Sequence, residues 1–246
     1  MVIANERIIP NDWGKDSLSE FIEDAHHNTL ATFANLKPEF AHLKNINDTF
    51  KKITENLLNI EKLIPGLFLL RSHASYLGAV RLAVSGQIPE TFMVLRGCLE
   101  NSLYALHIAL VPETGEIWLQ RCNDEESLRQ CKDIFRVSNV FRTLETENAT
   151  LCEIARHLYE TTIEYGGHPN EASLTSITSK SGDDSQINFK TAYLTSYKVN
   201  PSAFALCLKS TARIGVCSLM IFKLIFRERF DILGLSGNLE KLRQGL

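Results

Sequence analysis

The sequence predicts an all-α helical bundle, and three observations carry that prediction. Phe50, Ile53, Leu57, Ile60 and Ile64 recur at spacings of 3, 4, 3 and 4, the period of one helical face. Pro65, Gly86, Pro89 and Pro112 punctuate two long apolar stretches, with proline at the starts and glycine at an end. A third long apolar stretch runs from Pro201 to about Arg229. At 246 residues, with 44% hydrophobic and 22% charged side chains, the chain reads as one globular domain spanning 1–246.

The elements follow in order. Ser17-Leu18-Ser19-Glu20 has the pattern of a capping box, with Ser17 as N-cap and Glu20 reaching back. The helix after it is expected to turn Leu18, Phe21, Ile22 and Ala25 inward, and Pro38 ends or kinks it. A second helix is expected over 45–64 on the apolar period. A third runs from Pro65 to Gly86 and a fourth from Pro89 to 110, joined by about three residues as an αα-hairpin. Shorter helices are expected over 113–121, 123–144 and 148–165, the last stopped by Gly166-Gly167. The composition then changes: 173–195 is rich in Ser and Thr, with Ser181-Gly182-Asp183-Asp184 at its middle. It reads as an inserted β-hairpin or a loop. The Pro201 helix resumes the bundle, and 235–246 has room for one short helix.

Charge and cysteines narrow the setting. The net charge is −3 and the pI about 6.2, so no global basic field draws the chain onto nucleic acid. The six cysteines form no Cys-x-x-Cys pair and several sit in apolar helical pattern. They read as free thiols, which points to a reducing cytoplasm. Met1 to Gly14 has no signal-peptide pattern, and the apolar run Ile214–Phe226 is too short to span a bilayer, so no membrane is expected. The pairs Glu23/His26 and Glu39/His42 match one part of a di-iron bundle motif. Pro38 lies between them and no partner carboxylates are evident, so no metal or other cofactor is expected.

The informative polar residues lie inside the fourth helix. Arg96 and Glu100 interrupt an otherwise apolar run and share a face at four residues apart. In the hairpin, position 96 is expected opposite Gly78, with Arg71 near the level of Glu100 and His107 two turns beyond it. Arg71, Arg96, Glu100 and His107 then form a line of polar groups. Such a pair has a structural use, fixing helix register, and a functional one, with Arg96 holding an anion that Glu100 orients. The pair is expected to be buried, so removal of either partner is expected to cost about 3–5 kcal/mol. Tyr165-Gly166-Gly167-His168-Pro169-Asn170 is the second unusual segment. Two glycines allow a sharp turn that either aims His168 into the bundle or leaves it bonded to the last helical carbonyls. The candidate catalytic residues are His168, Arg96 and Glu100. The candidate substrate contacts are Arg71, His107, Tyr165 and Asn170.

Four short motifs carry a resemblance: the Ala- and Gly-containing helix ending at Ser85-Gly86, Leu95-Arg96-x-x-x-Glu100, Ile117-Trp118-Leu119-Gln120-Arg121, and Tyr165-x-x-His168-Pro169. Over about residues 60–175 the chain resembles bacterial helical proteins related to the HEPN class (higher eukaryote and prokaryote nucleotide-binding). The resemblance implies a helical bundle, a homodimer, and action on RNA or a nucleotide in a bacterial defence or toxin setting. HEPN nucleases place a His four to six residues after an Arg on one helix, and no arginine here has that spacing. After Arg96 the next histidine is His107, so cleavage requires His168 to serve from another helix. The alternative is a non-catalytic helical protein-interaction module whose Arg–Glu pair is structural.

Overall fold

The computed structural model describes residues 9–57, 62–167, 178–181, 188–191 and 193–244. Within them the chain is a helical bundle. Helix α1 covers Ser17–Asn35 and α2 Lys37–Glu55. The long α3 (Leu63–Ser85) and α4 (Ile88–Leu110) form the expected hairpin. Four shorter helices follow: α5 (Glu113–Gln120), α6 (Glu125–Ile134), α7 (Val137–Glu147) and α8 (Ala149–Thr162). A π-helical turn over Ile163–Gly167 extends α8. The strands β1 (Thr178–Ser181) and β2 (Asn188–Thr191) then pair antiparallel, with Thr178 opposite Thr191 and Ser181 opposite Asn188. Within the Ser/Thr-rich segment these eight described residues form the paired strands, and the turn expected at Ser181-Gly182-Asp183-Asp184 lies mostly outside the described residues. Helices α9 (Pro201–Ile225), α10 (Arg227–Ile232) and α11 (Leu235–Gln244) complete the bundle.

Helices α3, α4 and α9 make the centre. Tyr76 of α3, Phe92, Leu95 and Leu99 of α4, and Ile214, Leu219 and Phe222 of α9 have no more than 0% exposure, and α2 adds Ile46, Phe50 and Ile53. The buried side chains form one continuous cluster from Leu43 in α2 to Leu242 in α11. The 25-residue α9 is long and apolar enough to cross a membrane by length and composition, longer than the 214–226 run alone suggested. Its apolarity has an internal use, since 72% of its most apolar window is buried in the bundle.

Several local expectations change. The cap of α1 is Asp16, one residue before Ser17: its carboxylate accepts from the N–H groups of Leu18 and Ser19, each at 3.0 Å. A charged acceptor facing the helix dipole outcompetes a hydroxyl there. The inner face of α1 is also different, because Leu18 is 66% exposed. This helix docks through polar side chains. Thr32 Oγ1 donates to Val84 O at 2.9 Å, and Asn28 Nδ2 donates to Ser85 O at 3.1 Å and Thr195 O at 3.2 Å. The end of α3 offers carbonyls that no helical N–H reaches, and α1 is rotated to supply donors to them.

The first helix ends at Asn35, just before Pro38 as expected, and Pro38 itself sits in the first turn of α2, where a missing N–H costs nothing. That helix ends at Glu55, so the apolar period of 50–64 runs across a break: Ile64 belongs to α3, and Ile60 lies outside the described residues. The expected helix over 123–144 is two helices. Phe135, 4% exposed and packed on Tyr104 with ring centroids 4.8 Å apart, pins the junction. Asn139 Nδ2 then bonds the carbonyls of Asp133 and Ile134 that the break leaves open. Likewise α9 ends at Ile225, and the remainder to Ile232 is the separate α10.

Candidate functional site

Arg96 and Glu100 lie on the flank of α4 that faces α8, and Tyr159 of α8 closes the group. Arg96 Nε donates to Glu100 Oε1 at 2.8 Å, Arg96 Nη2 donates to Tyr159 Oη at 2.7 Å, and the Tyr159 hydroxyl donates to Glu100 Oε1 at 3.1 Å. The guanidinium carbon also stands 5.0 Å from the centre of the Tyr159 ring, in cation–π range. Three groups thus form a closed ring of hydrogen bonds that ties α4 to α8.

The pair is not buried as its surroundings in the sequence suggested. The Arg96 and Glu100 side chains are 31% and 33% exposed. Nor does Arg96 oppose Gly78. Val94 fills that place, its Cγ1 lying 3.5 Å from where a Cβ on Gly78 would stand. Two residues on, the helix has turned about 200°, so Arg96 projects toward the opposite flank. Tyr159 was not singled out from the sequence. Its signal was the inner stripe of α8, where Leu151, Ala155 and Leu158 are buried beside it. A phenol on such a stripe requires a polar partner.

Electrostatics follow from this geometry. Burial, and then the Glu100 charge, push the Tyr159 phenol up to about 12, so it stays protonated and donates. Burial pulls the Arg96 guanidinium down, but its hydrogen bond to Glu100 and the carboxylate charge outweigh that and raise it above its usual value. Burial, aided by Glu100, also raises the Tyr104 phenol.

The other sequence candidates do not join one line. Arg71 is exposed on the outer face of α3. His107 is 8% exposed and turned toward α7, with Nδ1 2.7 Å from Thr143 Oγ1 and its ring edge-on to Phe135. The Thr143 hydroxyl donates to Asn139 O at 3.2 Å, which assigns the imidazole proton to Nδ1. His107 Nε2 is buried without a hydrogen-bond partner, and burial lowers the pKa despite an opposing effect of Glu113. Tyr165, in the π-helical turn, packs on Phe92 with ring centroids 5.3 Å apart.

His168 and Asn170 lie outside the described residues. The chain just before them is well located by Gly166. A Cβ on Gly166 would stand 2.5 Å from Pro89 O and 2.8 Å from Phe92 Cβ, so only glycine lets this backbone press against the first turn of α4. Arg96 is one helical turn beyond Phe92 and Met93. Among the described residues no group of three His, Cys, Asp or Glu side chains is placed to hold a metal ion. Glu23 instead takes a hydrogen bond from Trp13 Nε1 at 2.8 Å and pairs with His27 at 3.2 Å. No family model, no curated protein and no solved structure matches this chain.

Proposed function

We propose that the chain is a non-catalytic helical interaction module in which Arg96, Glu100 and Tyr159 form a structural clasp. The ring of hydrogen bonds carries this reading: the carboxylate neutralises the guanidinium, and the phenol takes a further N–H. A phosphate arriving at Arg96 meets a neutralised cation with a carboxylate beside it, which makes a poor anion site. The module then acts through its surfaces.

A second reading is the HEPN-like one, in which the chain acts on RNA or a nucleotide in bacterial defence. Two observations favour it. The π-helical turn that precedes His168 packs on α4 about one turn from Arg96, and among the described residues Arg96 Nη1 has no hydrogen-bond partner. In that reading Arg96 grips a phosphate, Glu100 orients it, and His168 serves as general acid or base. Tyr165 and Asn170 would flank the substrate, while Arg71 and His107 stand apart from this centre.

One experiment separates the two. The full chain is incubated with single-stranded RNA at low salt, and its expression is followed for growth inhibition, alongside Arg96→Lys and His168→Ala. The module reading expects no cleavage and no growth effect from any of the three. Cleavage by the wild type that falls 10²-fold or more in His168→Ala, with melting unchanged, establishes the catalytic reading instead.

A further inference from the structure

Helix α3 is apolar on both sides, and among the described residues only one side is covered. Its inner face packs in the core. Its outer face repeats Leu63, Leu67, Leu70, Ala74, Leu77 and Arg81 at spacings of 4, 3, 4, 3 and 4. The four leucines are 62%, 53%, 49% and 47% exposed. Scattered surface leucines need no explanation, but an unbroken stripe of them at heptad spacing is a coiled-coil seam without its partner. Beside it, α4 exposes Met93 at 55% and places Gly97 where no side chain protrudes.

We propose that this seam is the docking site for a second copy of the chain, with the two α3 helices antiparallel about a two-fold axis. The proposal rests on the interaction-module reading and names the partner of that module. The seam is complementary to itself. Antiparallel coiled coils stack the first seam position of one helix on the second of the other. That register sets Leu67 of one copy against Leu77 of the other, and Leu70 against Ala74, so large meets small near the axis. Each Arg81 then reaches the Leu63 end of the other copy. A parallel pairing would set Arg81 on Arg81 within the seam, whereas the antiparallel one holds them about 27 Å apart along the helix. The size also fits. The stripe and the adjoining face of α4 measure about 27 Å by two helix diameters of about 10 Å, a footprint of about 540 Å² per copy and about 1,100 Å² in all, which clears the roughly 1,000 Å² total of a specific interface.

The charges make the second copy distinguishable from other occupants. Arg71 borders the middle of the stripe and is exposed, so two copies bring like charges together at the rim. Added salt therefore strengthens self-association, while it would weaken docking of an acidic partner.

Light scattering and sedimentation of the full chain test this at 1–100 µM and at low and high salt. The expected result is a dimer whose dissociation constant falls several-fold with salt. Leu70→Glu and Leu77→Lys, each at a half-exposed position, should give monomers with an unchanged helical spectrum, while Leu119→Glu on α5 should remain dimeric. In a Cys122→Ser background, Leu67→Cys combined with Leu77→Cys should yield an oxidatively linked dimer, and Leu77→Cys alone should not. A wild-type monomer at 100 µM overturns the proposal, and so does a dimer that survives Leu70→Glu. Efficient linkage through Leu77→Cys alone overturns the antiparallel pairing. Loss of the dimer leaves the module reading in place, because that reading falls only on RNA cleavage.

Discussion

Arg96 meets two partners from two helices, and the strength of that clasp depends on its exposure. The pair lies at i and i+4 on one helix with roughly a third of each side chain in contact with solvent. Exposed ion pairs contribute about 0–1 kcal/mol, and buried pairs lose about 3–5 kcal/mol when one member is removed. At the rim of the bundle the smaller figure governs, with the inter-helix hydrogen bonds from Tyr159 raising it modestly. Arg96→Ala, Glu100→Ala and Tyr159→Phe should therefore each cost about 1 kcal/mol in urea unfolding. A double-mutant cycle between Arg96→Ala and Tyr159→Phe should give a coupling of about 0.5–1 kcal/mol, the range for groups in direct contact. A loss above 3 kcal/mol in a single variant would mean the pair is buried in solution, and a coupling of zero would mean the clasp is open.

At the scale of elements, the junction between α3 and α4 does more than reverse the chain. Gly86 has φ of 88° and ends α3, and its carbonyl accepts from the Thr195 N–H at 3.0 Å. A Cβ at this position would collide with the Thr195 carbonyl. Gly86→Ala combines left-handed strain of about 1–2 kcal/mol with that collision, so a loss of at least about 2 kcal/mol in urea unfolding is expected. Gly237→Ala is the contrast, since nothing lies within 4 Å of a Cβ there and α11 gains a better helix former. Equal effects of the two substitutions would remove the turn from its place in the fold.

The same junction shows what could be read in the sequence. Gly86, Pro89 and Pro112 announce the α3–α4 hairpin because their backbone restrictions act locally, whatever surrounds them. The i, i+4 relation of Arg96 and Glu100 is local too. The docking of α1 was hidden, because Asn28 and Thr32 answer carbonyls about fifty residues away or more. The break at Phe135 was hidden as well, being set by packing on Tyr104 rather than by a helix-breaking residue. The exposure of Arg96, and Tyr159 as its third partner, depend on how α8 lies against α4. No spacing within one helix encodes that.

At the scale of the whole molecule, three histidines in three helices share one response to acid. Burial lowers the pKa of His42 in α2, His73 in α3 and His107 in α4. His73 Nε2 meets Asn47 Oδ1 at 2.9 Å with its ring stacked on Phe50, and His42 Nε2, like that of His107, is buried without a partner. Glu39 and Lys209 line the groove beside His42, and Glu113 opposes the shift at His107. In the unfolded chain each imidazole titrates near 6.5. Below that pH the unfolded state binds more protons than the folded one, so stability rises with pH across this interval. The contribution is complete above about pH 6.5 and is lost as pH falls through the lowered folded values. Asp16 and Asp124, held below the ordinary carboxylate range by hydrogen bonds from Ser19 and from Ser127 respectively, respond only at still lower pH, near and below about 3.9. The melting temperature should therefore decline between pH 7 and pH 5, by roughly 2–4 °C for each kcal/mol lost in a chain of this length. His107→Gln should make that decline shallower, since its burial disfavours the imidazolium. A melting temperature that is flat or rising from pH 7 down to pH 5 would mean that these imidazoles gain charge in the folded state at no cost, and that the cavities around them admit water.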